Sequence, residues 1–214
     1  MNHIFCLDFE TTGLNVFHND IIEVGCKKIT GNQCYHTLVI PKENDMVNPT
    51  YQYVSPRIRC ITGITDTMIT DSGIQPMQMI EGLFNYINQY VNNNDTVYLV
   101  AHNGNGFDFI FLRRYIHEYN NNIDEDNNKI NIDNYRFIDS MFVAKLIHID
   151  GRVNQPYLCR MYNIENTSEH RAMGDVEALE QLYIKLCEVY SLKKGRGNNY
   201  YIENPAELLK ELYY

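Results

Sequence analysis

The alternation of apolar, β-branched segments with segments of helical spacing constrains the fold of this chain most strongly. Five segments have the composition of strands, at His3–Phe9, Ile21–Ile29, Cys34–Ile40, Thr96–Ala101 and Tyr135–Ile138. The first three follow one another directly, and the turn at 30–32 is typical of a hairpin, so we expect an antiparallel meander. Apolar residues recur at helical spacing over 77–91, 107–119, 140–147, 175–190 and 205–212. This order predicts an α/β fold with one mixed five-stranded sheet flanked by helices.

Two stretches show neither periodicity. Residues 41–74 contain Pro and Gly at intervals and are expected to form a long irregular connection. Residues 120–134 are rich in Asn and Asp and are expected to form a solvated insertion. Because the 214 residues contain no internal repeat, a single domain over 1–214 is expected.

Composition narrows the choice of partners and compartment. The net charge of −9 argues against a generally basic surface that would bind nucleic acid. Affinity for nucleic acid would therefore have to come from a local groove and bound cations. No apolar run is long enough for a membrane span, and residues 1–7 are too short for a signal peptide, so we expect an intracellular protein, cytoplasmic or nuclear, without a membrane partner. The six cysteines form no C-x-x-C pair, which disfavours a zinc-binding module and favours reduced thiols. The abundance of Asn, Tyr and Ile suggests an A/T-rich genome, such as that of a large DNA virus.

The first acidic motif closes the first predicted strand. Asp8 and Glu10 are two residues apart, so their side chains point to the same face of the sheet. Two adjacent carboxylates repel each other unless a cation lies between them, and hard oxygen ligands suit Mg²⁺ or Mn²⁺. Taken alone, the pair is better explained as an exposed strand end.

Two further motifs supply carboxylates at the starts of helices. The turn at 101–108 follows the fourth strand, where open α/β sheets tend to bind ligands, and delivers Asp108 to a helix. Asp175 begins an apolar helix, and His170 precedes it by five residues in the connecting loop. Taken singly, Asp108 could be a helix N-cap and His170 a structural residue.

In combination, these motifs resemble those of the DEDDh exonucleases, the DnaQ-like proofreading and repair family. The family order of Asp-x-Glu, a later Asp after a His-Asn turn, and a terminal His-x4-Asp is matched by Asp8, Glu10, Asp108, His170 and Asp175. The segment order also matches the RNase H-like layout, and residues 61–65 resemble a family loop. Arg171 stands where the sister subgroup has Tyr, which assigns the His subgroup. The three-prime repair exonucleases look most similar, although Gly106 stands where a basic residue is expected in them.

The resemblance implies a two-metal 3′→5′ exonuclease that releases nucleoside 5′-monophosphates. Two Mg²⁺ or Mn²⁺ ions would be held by Asp8, Glu10, Asp108 and Asp175, with His170 as general base. The residues implied in substrate contacts are Thr11, Thr12, Leu14, Ile64, His102, Asn103 and Phe107. Leu14 and Phe107 could equally be core residues.

The sequence leaves several alternatives open. Single-stranded or frayed DNA is favoured as substrate, with RNA as the alternative. An inactive nucleic-acid-binding module would normally have lost an acidic residue, and an RNase H-like endonuclease would lack the His-x4-Asp ending. The basic run at 193–197 is equally consistent with a phosphate-binding segment and with a solvated loop. The oligomeric state stays open, with a homodimer found among the repair-type members.

Overall fold

The computed structural model describes residues 1–42, 53–124, 128–148, 151–166 and 168–213. In this part of the chain, five strands form one sheet in the order β3-β2-β1-β4-β5. The strands are β1 (Asn2–Thr11), β2 (Ile21–Lys28), β3 (Cys34–Leu38), β4 (Thr96–Ala101) and β5 (Tyr135–Asp139). β1, β2 and β3 are antiparallel neighbours, whereas β4 and β5 run parallel to β1. The predicted mixed sheet and its opening meander are confirmed.

Helices cover both faces of this sheet. They are α1 (Pro56–Thr62), α2 (Asp66–Ser72), α3 (Pro76–Asn88), α4 (Asp108–Asn121), α5 (Ser140–Ile147), α6 (Gln155–Met161), α7 (Ala172–Lys193), α8 (Tyr200–Glu203) and α9 (Pro205–Tyr213). On one face, α3 and α4 pack against Phe5, Leu7 and Phe9 of β1. On the other face, α5 to α9 pack against Ile4 and Cys6, the alternate residues of the same strand. No helix in the described ranges is both long and apolar enough to cross a membrane.

The expectation of an irregular connection over 41–74 is wrong for its second half. Residues 43–52 lie outside the described part, but α1 and α2 follow them. Ser55 caps α1 by accepting a hydrogen bond from the amide of Ile58, and Thr65 caps α2 by accepting one from Met68. Gly63 ends α1 in the left-handed region, at φ 70°. Pro56, Gly63 and Gly73, which suggested a loop, are therefore boundaries of two short helices.

The expectation of a solvated insertion over 120–134 is also wrong in part. Residues 125–127 are outside the described ranges, but the flanking segments return to the protein. The side-chain amide of Asn120 bonds both the carbonyl and the amide of Ile130, at 2.9 and 2.8 Å. Ile123, Ile130 and Ile132 pack against the cluster beneath α3 and α4. These three isoleucines, spaced through a polar stretch, thus attach the described parts of the segment to the core.

Candidate active site

The first acidic pair lies on the face of the sheet that α7 covers. Asp8 and Glu10 alternate with the core residues Leu7 and Phe9, and a register irregularity follows Glu10. Asp8 is opposite Gly25 on β2, where a Cβ would lie 2.7 Å from the carbonyl oxygen of Ala172. The absence of a side chain at Gly25 therefore allows the start of α7 to lie directly over the acidic end of β1.

Asp108 reaches this end of β1 from the first turn of α4. Its side chain is buried, and Oδ1 accepts a hydrogen bond of 3.1 Å from the amide of Phe9, between the first two acidic residues. The preceding turn is held by Asp139, a buried residue at the end of β5 whose carboxylate accepts bonds from the amides of Asn103 and Asn105, at 2.9 and 3.1 Å. Sequence reasoning missed Asp139, although a carboxylate closing an apolar strand was a signal.

Asp175 lies in the first turn of α7 and organises the loop before it. Its carboxylate accepts hydrogen bonds from the amide of His170 at 2.9 Å and from the side chain of Asn166 at 2.7 Å. His170 has a left-handed backbone, φ 63°, and an exposed ring. Gly174 packs against this loop so closely that a Cβ would lie 2.4 Å from the carbonyl oxygen of Ser168. Asn166 is a further site residue that the sequence motifs did not indicate.

The structure brings the five predicted catalytic residues to one place. Ligand atoms of Glu10, His170 and Asp175 lie within 4.8 Å of one another, an arrangement that could hold a metal ion. Burial, together with the charges of Asp108 and Asp175, raises the pKa of Asp8 well above its usual value. Mutual repulsion at this spacing is the electrostatic condition that a divalent cation would relieve.

The other three carboxylates show the same perturbation. Burial and then the charge of Asp175 raise the pKa of Glu10 to about 8. Burial also raises the pKa of Asp108 to about 7, against hydrogen bonds from the amides of Phe9 and Asp108 itself. Burial raises the pKa of Asp175, against the hydrogen bonds that it accepts. The cluster therefore retains protons near neutral pH when no cation balances its charge.

Glu23 is a further buried carboxylate beside this cluster, and sequence reasoning missed it. It lies on β2 opposite Glu10 and is 0% exposed. Burial acts to raise its pKa, but hydrogen bonds from His36, Arg171 and the amide of Ala172 lower it to about 2. A glutamate within the apolar run at 21–24 was the available signal.

Of the predicted substrate contacts, Thr11 at the end of β1 and Thr12 and Leu14 in the loop that follows lie nearest the acidic pair in sequence. Thr11 is buried and donates to the carbonyl of Gly13, and Thr12 bonds Asp20 across the loop. Leu14 is 85% exposed, so its reading as a core residue is wrong. Phe17, which the sequence motifs did not indicate, is equally exposed.

The other predicted contacts are held within the protein to different degrees. Ile64 is fully buried against Ile22 and Ile69 and offers no surface to a ligand in this conformation. The ring of His102 lies between the Ser140 hydroxyl and the Val153 carbonyl, at 2.9 and 2.7 Å, and its burial lowers its pKa.

Asn103 and Phe107 flank the short helical turn Gly104–Gly106. Asn103 is exposed, with φ 63°, whereas Phe107 is half-buried and packs its ring on Phe111. The side chain of Asn105 donates to the hydroxyl of Tyr213 in α9, at 2.9 Å. A role in substrate binding stays a prediction for each of these residues.

The sheet order and the flanking helices define an RNase H-like fold, with an acidic cluster at the end of β1. A family model described as an exonuclease, RNase T, matches residues 5–183. The chain belongs to this DnaQ-like exonuclease family, and the predicted membership is confirmed.

Curated relatives include bacterial DNA polymerases. The chain is 30% identical to the PolC-type DNA polymerase III of Bacillus cereus over 184 residues, which cover 85% of this chain and 11% of that protein. It is 29% identical to the corresponding protein of Thermotoga maritima over 196 residues, or 86% of this chain and 12% of that one. The chain therefore spans about one tenth of the length of these relatives. The particular likeness to three-prime repair exonucleases stays a prediction.

Solved structures with the same fold include E. coli exonuclease I. Its complex with a dA16 oligonucleotide has a TM-score of 0.68 and 16% identity, covering 90% of this chain and 42% of that one. A zinc-bound form of its complex with single-stranded DNA gives the same four values. At this level of identity the likeness concerns the fold alone.

Proposed function

We propose that residues 1–214 form one exonuclease domain that removes nucleoside 5′-monophosphates from the 3′ end of single-stranded or frayed DNA. The observation that carries this proposal is the convergence of Glu10, His170 and Asp175, whose ligand atoms lie within 4.8 Å of one another. Asp8 and Asp108 join them at the end of β1. Family membership supports the same reaction class.

The donor set fits two Mg²⁺ or Mn²⁺ ions. Asp8, Glu10, Asp108 and Asp175 offer hard oxygen ligands. Burial raises the pKa of all four, and repulsion from other members of the cluster adds to this for Asp8, Glu10 and Asp108, a cost that divalent cations would remove. Bound there, the ions would supply Lewis-acid chemistry by lowering the pKa of water and stabilising charge on the leaving oxygen. The other steps fall to the side chains of the chain itself.

His170 would act as the general base. Its exposed side chain leaves an imidazole nitrogen accessible to accept the proton of the attacking water, and histidine is the side chain that most often has this role. The water oxygen bonds to the terminal phosphorus as the bond to the 3′ oxygen of the preceding nucleotide breaks. That oxygen takes up a proton and becomes the new 3′-hydroxyl.

The loop after β1 would receive the end of the strand. Leu14 and Phe17 present exposed apolar side chains within seven residues of Glu10. Nucleobases can stack on the aromatic ring of Phe17 without regard to sequence, and Leu14 can make an apolar contact with the terminal bases. The structural neighbour exonuclease I is in complex with DNA oligonucleotides, which supports DNA as the substrate. Because DNA is the proposed substrate, the proposed site of action is intracellular, in the cytoplasm or the nucleus.

Digestion of 5′-labelled single strands tests the proposal. DNA and RNA of equal sequence would be incubated with Mg²⁺, Mn²⁺ or EDTA, using the wild-type protein and His170→Ala. We expect a ladder that shortens DNA from its 3′ end, requires the cation and is lost in the variant. A faster RNA ladder would make the chain an exoribonuclease instead.

A circular single strand separates exonuclease from endonuclease action. We expect it to remain intact under conditions that degrade its linear form. Its cleavage would contradict 3′-end specificity, and failure to shorten any linear strand would favour a nucleic-acid-binding module.

A further inference from the structure

We infer that Glu23 and Arg171 form a positioning pair that holds His170 over the acidic cluster. The inference rests on the proposed function, in which His170 is the base. Neither residue would touch the substrate or the reacting atoms. Their role would be to fix the backbone that carries the imidazole.

The contacts of Glu23 show why it acts as an anchor. Its two carboxylate oxygens lie 3.0 and 3.1 Å from Nε of Arg171, and Oε1 lies 2.6 Å from Nη2. Oε2 also accepts from the amide of Ala172 at 2.8 Å, and Oε1 lies 2.9 Å from Nε2 of His36. Both carboxylate oxygens of Glu23 accept hydrogen bonds. Glu23 therefore stabilises the start of α7 and the residue before it, although it lies beside the acidic cluster.

His170 needs such an anchor because of its backbone conformation. Its φ of 63° lies in the left-handed region, which is unfavourable for a residue with a Cβ and persists only when the surroundings enforce it. On one side, its own amide is bonded to Asp175 at 2.9 Å. Asp175 is a proposed metal ligand, so cations would compete for the oxygens that hold this side of the loop.

The contact between Arg171 and Glu23 fixes the residue that follows His170, and it uses none of the four proposed metal ligands. Arg171 follows His170 directly, its backbone is extended, and Ala172 begins α7. Glu23 therefore accepts hydrogen bonds from two successive residues, from the guanidinium of Arg171 and from the backbone amide of Ala172. This attachment to β2 is independent of metal binding, so it would keep the imidazole in place in the loaded enzyme.

The planar guanidinium matters as well as its charge. Lysine would keep the positive charge but could not present Nε and Nη2 to the carboxylate together. Glu23→Gln keeps the shape of the side chain but removes its charge. Arg171→Gln removes both the charge and the paired Nε and Nη2 donors. A positioning role therefore predicts that Arg171→Lys is defective.

Steady-state digestion of 5′-labelled single-stranded DNA at saturating Mg²⁺ would test the inference. The variants are Arg171→Lys, Arg171→Gln, Glu23→Gln and the Glu23→Gln/Arg171→Gln double variant. Arg136→Gln, an exposed arginine on the edge strand β5, is the control with the same change of charge. Thermal unfolding of each variant shows that it is folded at the assay temperature.

We expect both Arg171 variants to lower kcat about 10–100-fold with KM unchanged, as for other residues that orient catalytic groups. The double variant should be no worse than the more impaired single variant, because both changes remove one interaction. Arg136→Gln should match the wild type.

Three results would overturn the inference. The first is an unchanged kcat in folded Arg171 variants. The second is a raised KM with normal kcat, which would make Arg171 a phosphate contact. The third is additive losses in the double variant. If Glu23→Gln does not fold, the Arg171 variants alone decide the matter. A wild-type protein that degrades no strand overturns the proposed function as well, whereas an active wild type with normal variants overturns the positioning pair alone.

Discussion

Glu10→Gln should stabilise the metal-free protein at alkaline pH. Burial and neighbouring charges raise the pKa of Glu10 from 4.5 to about 8, so the folded protein binds this proton more tightly than the unfolded chain. At about 1.4 kcal/mol per pKa unit, the ionised side chain costs the fold on the order of 5 kcal/mol above pH 8. Asp8, Asp108 and Asp175 share this repulsion, so removing one charge should recover about 2–4 kcal/mol.

The sign of the pH dependence follows from the direction of the shift. Below pH 4.5, Glu10 is protonated in both states and imposes no cost. Between pH 4.5 and 8, only the folded state holds the proton, so the free energy of unfolding falls as pH rises. Above pH 8 the full cost is present. The advantage of Glu10→Gln should therefore grow from pH 5 to pH 8.

Thermal unfolding in EDTA at pH 5, 6, 7 and 8 would measure this effect. For a chain of this size we expect a rise in Tm of about 4–16 °C at pH 8, at about 2–4 °C per kcal/mol, and little change at pH 5. Glu81→Gln, an exposed glutamate on α3, is the control and should leave Tm unchanged. Saturating Mg²⁺ should narrow or reverse the gap, because glutamine is a poorer ligand. An unchanged Tm at pH 8, or a gain independent of pH, would refute the proposed charge crowding.

Three further substitutions probe the supports of the site. Asn166→Ala removes a hydrogen bond to Asp175, so the Mg²⁺ concentration for half-maximal activity should rise about 10-fold or more; an unchanged Mg²⁺ titration would contradict this role. Asp139→Ala leaves the amides of Asn103 and Asn105 without their acceptor and should destabilise the fold by about 2–4 kcal/mol in urea unfolding; a loss below about 1 kcal/mol, within the usual range of surface substitutions, would argue against it. Leu14→Ser should raise KM for single-stranded DNA several-fold without lowering Tm, because this exposed side chain is not part of the core; a lowered Tm with normal KM would point to a structural role.

The sequence was sufficient for the strands and for the first acidic pair because both depend on local patterns. Apolar runs of four to nine residues identify strands, and the spacing of Asp8 and Glu10 places them on one face. The resemblance then linked these two residues to Asp108 and Asp175. No local pattern indicates which of two competing structures a short segment adopts. The helices α1 and α2 were missed because their Pro and Gly residues are typical of loops as well as of helix ends.

The supporting residues were missed for a different reason. Glu23 and Arg171 are 148 positions apart, and Asp139 and Asn103 are 36 apart. A hydrogen bond of this kind leaves no periodicity, because it joins two segments that meet only in the folded chain. What the sequence does show is the unusual position of the residue, such as a carboxylate inside or at the end of an apolar strand. Such positions justify a search for a partner but do not identify it.

The extent of α7 and α9 bears on how the protein can be shortened. The match to the family ends at residue 183, inside α7, which continues to Lys193. A fragment cut at that point would lose Leu186, Tyr190 and Leu208 from the cluster beneath α5 and α7, and each buried leucine removed costs about 2–5 kcal/mol. It would also lose the Tyr213 hydroxyl that bonds Asn105, in the turn leading to Asp108. Trimming to the family boundary would therefore affect the turn that leads to Asp108 as well as the stability of the fragment, and a minimal domain should retain the chain through Tyr213.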